Sequence, residues 1–170
     1  EGDSRSTGET QETLRGVQRL ASKLQKAIAS GRASRGDMKL IDRFLSRQLT
    51  ARTASILQNI DLLGAKTSNF EIKEKLSQLY LIVIEIFNEF KDMEVKGYTS
   101  LVKSNQVKDR SSLASLVEID SELSSIITNL DSMIASSVRR GKISERDLEE
   151  IGQIFDEVSN LLRERRTTLT

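Results

Sequence analysis

Not one of the 170 residues is a proline. Proline is the residue that most reliably interrupts a helix, because it lacks the backbone N–H and its ring clashes with the preceding turn. Its absence coincides with an apolar repeat, spaced by three and four residues, that runs from Gln11 almost to Arg166. Such spacing places apolar side chains on one stripe of an α-helix. A chain written this way has little choice but to fold as helices packed stripe to stripe.

Five stripes can be traced. Leu14, Val17, Leu20, Leu24 and Ile28 predict a helix over about 11–30. Met38, Ile41, Leu45, Leu49, Ile56, Ile60 and Leu63 predict a second over about 37–63, stopped by Gly64. A third is expected after Ser68, with Glu71 completing a capping box; it carries Ile72, Leu76, Leu79, Val83, Phe87 and Phe90 and weakens around Gly97. The fourth, about 110–139, uses Leu113, Leu116, Leu123, Ile127, Leu130, Ile134 and Val138, and the fifth, about 144–166, uses Leu148, Ile151, Phe155, Val158 and Leu162. Gly31-Arg32-Ala33-Ser34-Arg35-Gly36-Asp37-Met38 and Gly141-Lys142-Ile143-Ser144-Glu145-Arg146-Asp147-Leu148 share one arrangement. In each, a glycine ends a helix and a serine caps the next one, with an aspartate three residues on. Short turns between helices of similar length set neighbours antiparallel. The expected fold is all-α, an up-and-down antiparallel bundle of four to five helices forming a single domain over 11–170, preceded by a disordered polar tail at 1–10.

Composition closes off much chemistry. The chain has no Cys and no His, which removes disulfides, thiol nucleophiles, imidazole bases and the usual zinc, haem and non-haem iron ligand sets. No phosphate-binding glycine loop, dinucleotide fingerprint, calcium loop or nucleophile elbow is present. No catalytic residue, metal or cofactor is therefore expected, and no small-molecule substrate. Lys and Arg total 26 against 25 Asp and Glu, a formal charge of +1, and aromatic residues are few, so a nucleic-acid partner is not expected either. The apolar run Tyr80 to Ile84 falls far short of the ~20 residues needed to span a bilayer; the expected location is cytoplasmic.

Three sets of residues stand out. Arg15, Arg19, Lys23 and Lys26 form a basic arc on the first helix, the face an anionic partner or membrane would meet. Residues 144–162 hold six acids against the single base Arg146, so the first and last helices are expected to lie side by side with their charges matched. Arg52 and Asn59 on the second helix, and Asp120 and Asp131 on the fourth, intrude into apolar stripes. A buried base needs a buried acid, which makes Arg52 with Asp120 the candidate buried pair and Asp131 its alternative partner. Glu85, by contrast, falls opposite the Ile82–Ile84 arc and is expected to face water. The width of that arc leaves the third helix either central or offering a second face to another chain.

In helix order and charge order, basic at 11–35 and acidic at 144–162, the chain resembles the ESCRT-III group of membrane-remodelling filament proteins. The resemblance implies a membrane-surface, filament-forming role. The chain departs from that group at Gly64–Asn69, which interrupts what would be one long helix, and in lacking the group's Ala, Tyr-Ala and Ile-Arg spacing. The expected function is a non-catalytic helical interaction or assembly module working through contacts with other protein chains, itself included. Action at a membrane surface through the basic first helix is the alternative.

Overall fold

The computed structural model describes the backbone of residues 2–169 and the side chains of residues 15–169. Five helices account for nearly all of it, with no strand among the described residues: α1 Gly2–Ala29, α2 Arg35–Lys66, α3 Phe70–Lys103, α4 Arg110–Arg140 and α5 Glu145–Thr168. The all-α bundle expected from the periodicity is the fold observed. The disordered tail expected at 1–10 falls where side chains lie outside the described residues; the backbone of α1 is helical from Gly2.

The matching turns are built as their sequences require. Gly31 and Gly141 take positive φ angles of 75° and 77°, the left-handed conformation that a helix terminus assigns to glycine. Ser34 and Ser144 are N-caps, accepting from the backbone N–H groups of Asp37 and Asp147, each at 3.1 Å. Asp37 returns the contact to the Ser34 N–H at 3.3 Å and closes a capping box.

Two boundaries differ from expectation. Gly64 does not stop α2, which continues to Lys66 and ends where the Thr67 N–H reaches the Leu63 carbonyl. A lone glycine costs a helix only about 1 kcal/mol, less than the burial of Ile60 and Leu63 beside it contributes. The cap of α3 is Asn69 rather than Ser68, its side chain accepting from the Ile72 N–H at 3.2 Å. Gly97 does bend α3: its φ and ψ of 56° and 160° are not helical.

That bend divides the interior in two. The larger core joins the second half of α2, α3 up to Met93, the second half of α4, and α5, around Ile56, Val83, Phe90, Ile127, Leu130 and Val158. The smaller joins α1, the first half of α2, the start of α4 and the residues just past the bend, Tyr98 and Leu101. α2 and α4 run through both. α1 packs on α4 and α2, whereas α5 packs on α4 and α3. The oppositely charged first and last helices are therefore not laid along one another, because the apolar stripe of α1 is taken up by the smaller core and that of α5 by the larger.

Candidate functional site

Arg15, Arg19, Lys23 and Lys26 are all exposed, since Val17, Ala21, Leu24 and Ile28 claim the buried side of α1. The basic face does not end with that helix. Beyond Arg32 in the turn, Arg35, Lys39, Arg43 and Arg47 follow at four-residue spacing along α2, and every one is exposed. None of these bases has an ion-pair partner among the described residues. Between residues 15 and 47 the acids are Asp37 and Asp42. Asp37 is committed to the Ser34 cap, and Asp42 is half-buried, accepting from the Ser46 hydroxyl at 3.2 Å. Turned at ~100° per residue, the four α2 bases cover an arc of ~120°, bordered on one side by Leu40 and Phe44. Those two side chains are 46% and 42% exposed. This second row, absent from the sequence-based expectation, is carried by the four-residue spacing from Arg35 to Arg47.

The buried polar groups sort differently from expectation. Arg52 and Asp120 are not the pair. Arg52 Nη1 lies 3.3 Å from Asp131 Oδ2, the alternative partner, and eleven residues of α4 at 1.5 Å each set Asp120 ~16 Å further along. The Asp131 Oδ1 atom is buried with no hydrogen-bond partner among the described residues. Burial raises the pKa of this carboxyl, against the lowering influence of the Ser55 hydroxyl and the Arg52 guanidinium.

Asp120 is buried at the junction of the two cores and is held by residues that the sequence had not linked to it. Arg165 Nε donates to Oδ1 at 2.7 Å and Nη2 to Oδ2 at 3.1 Å, a two-pronged pairing. The Tyr98 hydroxyl donates to Oδ2 at 2.7 Å. Burial raises the pKa of the phenol well above its ordinary value, reinforced by the Asp120 charge and the hydrogen bond to it, so Tyr98 stays a donor. Arg165 keeps its charge: burial alone would weaken it, but Asp120, helped by Tyr98 and Asp42, more than compensates. Against the same junction lies Asp42, whose carboxylate abuts the backbone of Gly97 so closely that a Cβ there would collide with Oδ2. Burial pushes the pKa of Asp42 from 3.8 to about 6, opposed by hydrogen bonds from Ser46 and the Tyr98 backbone.

The sequence signal for Arg165 was present: it extends the α5 stripe Leu148, Ile151, Phe155, Val158, Leu162 by one more three-residue step. In the sequence it stands between Arg163 and Arg166, exposed cations of the kind that ordinarily end a helix. Chemically, the junction joins α2, α3, α4 and α5 through charge and hydrogen bonds. Among the described residues no three acidic side chains come together as a metal site, and no helix is long and apolar enough to cross a membrane. Comparison with known proteins finds no matching family model, no similar curated protein and no similar solved structure.

Proposed function

We propose that the chain is a non-catalytic helical interaction module that engages an acidic protein surface through the basic face of α1 and the first half of α2. One observation carries this reading. Nine exposed bases between Arg15 and Arg47 have no ion-pair partner among the described residues, and of the two acids in that stretch Asp37 is held in the Ser34 cap and Asp42 is half-buried against Ser46. Arginine and lysine left in this way create a positive field that steers and orients an anionic partner. The buried charges support the same reading, because Asp120, Arg165 and Tyr98 hold one another and are turned away from solvent.

Polyglutamate is a suitable probe. It should bind the protein, the affinity falling steeply as salt shortens the screening length. Replacing Arg15, Arg19, Lys23 and Lys26 with Gln, or Arg35, Lys39, Arg43 and Arg47 with Gln, should abolish that binding. Unchanged binding by both variants would overturn the proposal.

A second reading, docking on an anionic membrane, is favoured by Leu40 and Phe44, two large apolar side chains exposed at the edge of the basic arc. Side chains so placed enter the headgroup layer while flanking bases meet lipid phosphates. Binding to phosphatidylserine vesicles that is lost in a Leu40→Ser/Phe44→Ser variant, with polyglutamate binding retained, would select this reading over the first.

A further inference from the structure

At the far end of α2 its last turns and the first turns of α3 leave an open groove of about 480 Å³. Ile60 and Leu76 form the floor, and both belong to the larger core. On one bank is a notch: Gly64 has no side chain, and a Cβ placed on it would meet nothing within 4 Å. On the other bank Leu81 projects, 66% exposed. Asp61 and Lys73 stand on the rim, both exposed and neither ion-paired among the described residues. The same two helices expose further large apolar side chains, Leu62 on α2 and Phe70 at the start of α3, at 47% and 77% exposure.

We infer that this groove is a two-fold interface with a second copy of the same chain, Leu81 of each protomer seated over Gly64 of the other and Asp61 of each facing the other's Lys73. A two-fold contact requires one patch to complement itself, so that residue i meets j and j meets i. This patch carries a projection and a notch, and an acid and a base, on a single face. An acidic partner would answer only Lys73, and a basic one only Asp61. A second copy answers both, twice. The inference goes beyond the basic-face reading and uses none of its residues.

Sedimentation equilibrium of the full chain over a range of concentrations tests it. The unmodified protein should pass from monomer to dimer. Gly64→Leu should weaken dimerisation on the order of 10-fold or more while the urea midpoint of the monomer holds or rises, since the notch is empty and leucine is the better helix former. Asp61→Lys and Lys73→Asp should each weaken dimerisation, and the double exchange should restore it, because the charges then face each other in reversed order. A protein that stays monomeric throughout would overturn the inference. So would a Gly64→Leu variant that dimerises like the parent, or a double exchange that fails to restore association. None of these results bears on polyglutamate binding, so the two readings fail separately.

Discussion

Asp120 accepts hydrogen bonds from Tyr98 and from two nitrogens of Arg165, and its fate is tied to that guanidinium. Taking away one member of a buried ion pair costs about 3–5 kcal/mol, because the other is left charged in a poor solvent. Arg165→Met should destabilise by that amount, whereas Arg165→Met with Asp120→Asn should cost less than the two single changes added together. A urea double-mutant cycle measures the difference. Asp42 makes a prediction with the opposite sense. Its pKa is higher folded, about 6, than at its ordinary 3.8. The folded chain therefore holds the proton more tightly than the unfolded one, and this contribution to stability is complete below pH 3.8 and lost as pH rises through about 6. Asp42→Asn removes that dependence: relative to the parent, the variant should gain stability as the pH is raised across this window, as read from urea midpoints at each pH. Neither residue's role could be read from composition. Arg165 was hidden by its basic neighbours, and Asp42 is set by a backbone approach at Gly97, which lies 55 positions along the chain and leaves no periodic trace.

At the scale of the helices, local chemistry was highly legible. The Gly-to-Ser turns at 31–34 and 141–144 fold as their sequences dictate, because every instruction they carry is local. Ser144→Ala should destabilise by about 1 kcal/mol, the usual loss for a serine N-cap, and chemical denaturation with the Ser34→Ala variant alongside should return similar values for the two turns. Legibility fails where packing overrides local preference. Gly64 reads as a stop, yet α2 passes through it on the strength of Ile60 and Leu63. The bend at Gly97 could be foreseen, but not what it achieves, since the transfer of Tyr98 and Leu101 into a different core is a matter of three-dimensional arrangement.

For the whole molecule, periodicity gave the class of fold, but the pattern of neighbours lay beyond it. Any antiparallel arrangement satisfies five apolar stripes, and charge complementarity suggested α1 beside α5. The observed order places α1 on α4 and α2 and leaves its bases facing water. Replacing Arg15, Arg19, Lys23 and Lys26 with Gln should accordingly shift stability by no more than about 0.5 kcal/mol, the range of surface changes that touch no packed feature. A clear loss in thermal or urea unfolding would mean that those bases are paired within the fold after all.

α2 is 32 residues long and therefore spans ~48 Å. Its row of bases begins at one tip and its glycine notch lies near the other, the two separated by several times the ~8 Å over which a charge is felt at physiological salt. What docks at one tip is neither repelled nor recruited by what docks at the other. Two such molecules joined at their notches would hold their basic tips apart like the ends of a crossbar, able to grip two separate anionic bodies at once and to fix the gap between them by the length of a helix.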